Sequence, residues 1–129
     1  MKCLDTNILV DILRNKHNAE QIVSKLDSET RNATTTVNSL ELFYGANHSQ
    51  NRINNVQKVQ LLLQRLDVFP LSLGASERAG ELMANLAHKG EIIEYRDAMI
   101  AGIVLELGMT LVTRNKKHFA RIPGIKLED

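Results

Sequence analysis

Short apolar runs that alternate with longer runs of helical period leave a chain few ways to fold, because strands separated by helices pair in parallel through crossovers. This sequence alternates in that way almost from end to end. Met1 to Val10 opens with a short strand that closes on Asp5 and turns at once into a helix, with Ile8, Leu9, Ile12 and Leu13 at helical spacing. A second amphipathic run carries Ile22, Val23 and Leu26. The β-branched stretch 32–36 predicts a strand, and residues 37–49 a helix presenting Val37, Leu40, Phe43 and Tyr44.

Residues 52–66 place Ile53, Val56, Val59, Leu62, Leu63 and Leu66 on one stripe, and the extended run 68–71 contains Pro70, which suits a sheet edge. Two further helices follow, over 76–88 with Gly90 as its stop and over 96–107 with Gly108 as its stop. Residues 109–113 form the clearest buried strand. A basic loop over 114–118 and a last extended piece over 125–127 complete the series. The expectation is an α/β fold: a three-layer α/β/α sandwich around a central, mainly parallel sheet.

The chain length of 129 residues predicts one domain over 1–129. A net charge of +1 gives no global argument for nucleic acid, so such binding has to come from a local patch, for which Arg96, Arg114, Lys116, Lys117 and Arg121 are available. Aromatic residues make up 4% and Trp is absent, which argues against a base-stacking platform. Contact with nucleic acid would then run through phosphates and metal. No apolar run approaches the roughly 18 residues that span a bilayer, and no secretory signal opens the chain, so a cytoplasmic protein with no membrane partner is expected. The single cysteine, Cys3, excludes an internal disulfide and reads as a small buried hydrophobe.

Three acids stand where solubility does not call for them. Asp5 lines up with Ile8, Leu9 and Ile12; Glu41 with Val37, Leu40 and Tyr44; Asp97 with Ile100, Ala101 and Val104. A charge facing a core is unfavourable unless it is paired or ligates a metal. Two carboxylates about 5 Å apart repel by roughly 3 kcal/mol at an effective dielectric near 20, so a cluster of three calls for a cation or takes up protons. An all-oxygen donor set points to Mg²⁺ or Mn²⁺ and away from zinc.

Each acid also has a plainer explanation. Asp5 before Thr6 and Asn7 suits a helix N-cap, Asp97 suits a helix dipole, and Glu41 can reach the rim of its helix or pair with Arg96 or Arg114. Asn115 follows the 109–113 strand and so lies on the same sheet edge as Asp5, as a weak ligand or as a turn residue. Thr6, Asn7 and Thr113 are placed to orient the carboxylates or simply to cap. No histidines fall at a ligand spacing, and His118, the one near the acids, reads as a surface residue.

Four motifs in order carry a family resemblance: Leu4-Asp5-Thr6-Asn7, Ser39-Leu40-Glu41-Leu42-Phe43-Tyr44-Gly45-Ala46, Arg96-Asp97-Ala98-Met99-Ile100-Ala101 and Thr113-Arg114-Asn115. Together they resemble the PIN-domain ribonucleases, in particular the VapC-type toxins of toxin–antitoxin pairs. The resemblance implies a PIN-like fold, with Asp5, Glu41 and Asp97 binding Mg²⁺ or Mn²⁺ and needed for metal-assisted hydrolysis of RNA phosphodiesters. It implies Asn115 at a fourth position that is often Asp, and His118 where the family often has an acid. It further implies an antitoxin partner that covers the acidic pocket, a toxin homodimer, and contact with DNA only through the antitoxin.

Two other readings compete. Aspartyl phosphotransfer from Asp5 would want a second Asp two residues on, where this chain has Asn7. A scaffold with weakened catalysis that only binds RNA or protein would fit Asn115.

Overall fold

The structure, a computed structural model, describes residues 1–15, 21, 24 and 31–129. Among these the elements run β1 (Lys2–Leu4), α1 (Thr6–Arg14), β2 (Ala33–Thr35), α2 (Thr36–His48), α3 (Arg52–Leu63), β3 (Asp67–Phe69), α4 (Leu73–His88), α5 (Tyr95–Glu106), β4 (Thr110–Val112), α6 (Lys116–Ala120) and β5 (Lys126–Glu128). The run around Ile22, Val23 and Leu26, and His17, lie outside the described residues.

The strands form one sheet in the order β3-β2-β1-β4-β5, with every adjacent pair parallel. Cys3 aligns with Ala33 on one side and with Leu111 on the other, so β1 is the central strand. Side chains alternate across the pleat. Cys3, Ala33 and Leu111 join a core with Ala79, Leu82, Ile100, Val104 and Phe119, while Leu4 and Val112 join a second core with Ile8, Leu9, Leu42, Val59 and Leu62. Helices α4 and α5 therefore cover one face and α1, α2 and α3 the other, giving the three-layer sandwich that the alternation predicts.

Local chemistry explains the element ends. Helix α1 stops at Asn15, which takes the left-handed conformation (φ 52°) that Asn tolerates better than most residues. Helices α4 and α5 both close with paired bonds around a positive-φ glycine. Gly90 N–H donates to the Ala87 carbonyl and Glu91 N–H to that of Leu86; Gly108 N–H donates to Leu105 and Met109 N–H to Val104. Pro70 follows directly on β3, which is an edge strand as expected. None of the helices among the described residues is long and apolar enough to cross a membrane.

Three expectations need correction. On α2, Leu40 and Tyr44 are each 68% exposed, and the inward face is Asn38, Leu42 and Ala46. Two stripes one position apart overlap in this helix, and packing against α1 and α3 selects the one with smaller side chains. On α3, Ile53 is exposed and the helix ends at Leu63, so Leu66 enters the core from the turn beyond. The basic segment after β4 is a loop only at Arg114 and Asn115; Lys116, Lys117 and His118 begin α6.

Candidate metal centre at the carboxyl edge of the sheet

β1 and β2 each run straight into a helix, and the junction residues of both meet at the carboxyl ends of the strands. Asp5 leaves β1 and caps α1, its Oδ1 accepting from Thr6 N–H at 2.8 Å. Thr35 leaves β2 and caps α2, accepting from Asn38 N–H at 3.1 Å. Glu41 then lies one turn past Asn38 on the same side of α2. From the other half of the sheet come Arg96 and Asp97, in the first turn of α5, and Thr113, directly after β4. In open parallel sheets the crevice between crossovers that run in opposite directions is where ligands bind. Here β1 is that point, because β2 and β3 lie to one side of it and β4 and β5 to the other.

The three acids singled out in the sequence are brought together, and they meet on a guanidinium. Arg96 Nη2 donates to Asp5 Oδ1 at 2.8 Å and to Glu41 Oε1 at 2.9 Å. Its Nε donates to Glu41 Oε2 at 2.9 Å, and its Nη1 to Asp97 Oδ1 at 2.8 Å. Burial disfavours the Arg96 charge, but its bond to Glu41, the charge of Asp5 and its bonds to Asp97 and Asp5 outweigh it, so its pKa is raised above the ordinary arginine range. Asp5 is completely buried, Asp97 is nearly so, and Glu41 is about one-third exposed at the rim.

Hydroxyls and one amide hold these carboxylates in place. Thr113 Oγ1 donates to Asp5 Oδ2 at 2.7 Å, and Thr6 Oγ1 to Glu41 Oε1 at 2.6 Å. Asn38 Nδ2 donates to Asp5 Oδ1 at 3.0 Å and to Thr6 Oγ1 at 2.9 Å, while its Oδ1 accepts from Thr35 Oγ1 at 2.6 Å. Asn7 Nδ2 reaches Thr113 Oγ1 at 3.4 Å, and Asn7 Oδ1 accepts from Arg114 N–H at 3.3 Å. Burial foremost, and the Asp5 charge second, push the Cys3 thiol up to about 12, so Cys3 stays neutral behind the site.

Asn115 lies outside this cluster. It lines the same cleft, of about 540 Å³, and its backbone N–H donates to Thr113 Oγ1 at 3.0 Å. His118 is 65% exposed, as expected, yet its Nδ1 is 3.9 Å from Asp97 Oδ2 at the cleft wall.

Two contributors were not visible in the sequence, and a third only in part. Asn38 is fully buried; taking residues 32–36 as strand hid Thr35 as a cap, and with it the turn that aims Asn38 at Asp5. Asp11 is 4% exposed and pairs with Arg114 Nη1 at 2.8 Å, a further acid on the cleft. The sequence offers Arg96 to the acids only as one of two partners for Glu41, a pair the structure contains; its hold on Asp5 and Asp97 appears once β1, α2 and α5 converge on it.

The donor chemistry suits a hard cation. Carboxylate oxygens from three separate elements already surround one positive group, for which the guanidinium stands in. As the side chains are placed, no group of three acidic, His or Cys side chains among the described residues closes on a single ion. The carboxylates are spread along the edges of a planar fork.

The sequence and fold comparisons agree with this architecture. The PIN domain family profile matches residues 2–125. The chain is 35% identical over 127 residues to the tRNA(fMet)-specific endonuclease VapC of Salmonella typhimurium, covering 98% of this chain and 95% of that protein. It is 36% identical over 129 residues to Ribonuclease VapC2 of Rickettsia felis, with the same shares covered. The solved structure of DNA-bound VapBC from Salmonella typhimurium superposes with a TM-score of 0.91 at 35% identity, over 99% of this chain and 96% of that chain. With the acid-lined carboxyl edge, the sheet order and the full-length matches in agreement, this chain belongs to the VapC-type branch of the PIN-domain family.

Proposed function

We propose that this protein is a Mg²⁺- or Mn²⁺-dependent endoribonuclease and the toxin component of a toxin–antitoxin pair. The observation that carries the reading is the convergence of Asp5, Glu41 and Asp97 on one cationic group at the carboxyl edge of a PIN fold. Asp5 and Asp97 would be the metal's ligands, with Glu41 as ligand or as the group that positions water. When bound, a divalent ion supplies Lewis acidity at a phosphodiester and makes water a better nucleophile at neutral pH.

The remaining work falls to the chain's own residues. Thr113 and Asn38 lock the Asp5 carboxylate, so it needs no reorientation during the reaction. Thr6 Oγ1 holds Oε1 of Glu41 and Arg96 Nε holds Oε2, so the rim carboxylate is kept oriented to position a water or take its proton once Arg96 lets go. Arg114, on the cleft wall, offers a second positive group to the phosphate backbone.

The substrate class is RNA, and the name of the Salmonella relative makes initiator tRNA the first to try. An antitoxin partner fits the solved VapBC complexes that this fold matches. The surface it would cover is the cleft between α1, α2 and α3, lined by Val10, Leu13, Leu42, Ala46 and Val59. A homodimer follows from the same family reading.

Asp5→Asn tests the assignment. The variant is expected to fold, by circular dichroism, and to lose at least about 100-fold of its Mn²⁺-dependent cleavage of a tRNA panel. Undiminished cleavage would remove the acid cluster from the mechanism.

A further inference from the structure

Four carboxylate oxygens accept from Arg96, and the fifth acceptor, Thr6 Oγ1, lies 3.4 Å from Nη2. Each of the three nitrogens of the fork is thus engaged by its own chain, although its side chain is 25% exposed on the wall of an open cleft. An arginine whose task was to receive a phosphate would keep an edge of its fork free. Instead, its four short bonds all point at the acids, and three negative charges face one positive charge.

Mg²⁺ takes oxygen ligands at about 2.0–2.1 Å in near-octahedral geometry. Asp5 Oδ1, both oxygens of Glu41 and Asp97 Oδ1 now face guanidinium nitrogens 2.8–2.9 Å away, so a divalent ion seated among the three acids competes with this fork for those atoms. Two cations in one small site also repel.

We propose that Arg96 is a built-in counter-ion that competes with the divalent metal for Asp5, Glu41 and Asp97. It keeps the metal-free site assembled, and metal entry releases it into the cleft, where its freed fork takes the RNA phosphate. The inference rests on the metal-dependent reading above. It assigns Arg96 two successive partners: the acids before loading and a phosphodiester after it.

Calorimetric titration with Mn²⁺ alone, on the full chain at fixed pH, provides the test. Arg96→Gln removes the competitor, and a ligand's apparent affinity scales with the fraction of protein in the competent state. Binding is therefore expected to tighten about tenfold or more, while the metal-free variant melts at a lower temperature than wild type and gains more from Mn²⁺. KM for RNA rises in the same variant as its metal affinity improves. A purely structural arginine would weaken both.

A second measurement needs no variant: the Arg96 Nε–Hε resonance of the wild-type chain should move on saturation with Mg²⁺. Equal or weaker Mn²⁺ binding by Arg96→Gln, or an Nε–Hε signal unmoved by saturating Mg²⁺, overturns the exchange and leaves the nuclease reading standing. Absence of Mn²⁺ binding in both chains overturns both.

Discussion

Asp5 has no exposed surface, and each of its oxygens is held: Oδ1 by Thr6 N–H, Asn38 and Arg96, and Oδ2 by Thr113. A buried carboxylate oxygen stripped of its donor keeps the full cost of desolvation. Thr113→Val preserves shape but removes the donor to Oδ2 and the acceptor for Asn115 N–H. We expect a loss of about 1–3 kcal/mol, read as a lower urea midpoint with unchanged slope. At this scale the sequence was informative about the acids, since Asp5 and Asp97 do share faces with Ile8, Leu9, Ile100 and Val104. It was misleading about Glu41, whose supposed neighbours Leu40 and Tyr44 face solvent. It offered Arg96 as one of two partners for Glu41 but was silent about the bonds of Arg96 to Asp5 and Asp97 and about Asn38, because a hydrogen-bond hub is defined by partners up to 91 positions away and leaves no periodic trace.

Among the elements, α4 and α5 pack against each other most extensively. A Cβ on Gly102 would collide with the Ala75 carbonyl and sit 3.0 Å from the Ala79 Cβ, so the two helices meet through a missing side chain. Because the obstacle is backbone, Gly102→Ala is expected to destabilise the fold by about 1–3 kcal/mol. Gly45→Ala, with open space around it in α2, should be neutral or stabilising by up to about 1 kcal/mol. Thermal melts of the two variants side by side check the contrast. Element types were legible because period separates strand from helix, and Gly90 and Gly108 announced the ends of α4 and α5. The inward face of α2 was not, since overlapping stripes are resolved only by what packs against them.

Over the whole molecule, the charge balance of +1 leaves RNA affinity to the few cations at the cleft, and its lining contains three: Arg14, Arg96 and Arg114. Arg114 is tied to Asp11 and Arg96 to the acid cluster. Each phosphate neutralised on a single strand contributes roughly 0.7 to the salt slope, so log affinity should fall against log salt with a slope no steeper than about −2. Fluorescence anisotropy of labelled RNA in EDTA measures it, and a slope near −5 would point to a wider contact surface than the cleft. The position of β1 at the centre of the sheet also governs timing. Asp5, Asn38 and Glu41 reach the cleft beside it from one half of the chain, whereas Arg96, Asp97 and Thr113 arrive from the other. A nascent polypeptide halted anywhere before α5 carries only part of the acid set and lacks the guanidinium that joins it, so a ribosome translating this message is not exposed to the finished nuclease until the final third of the protein has emerged.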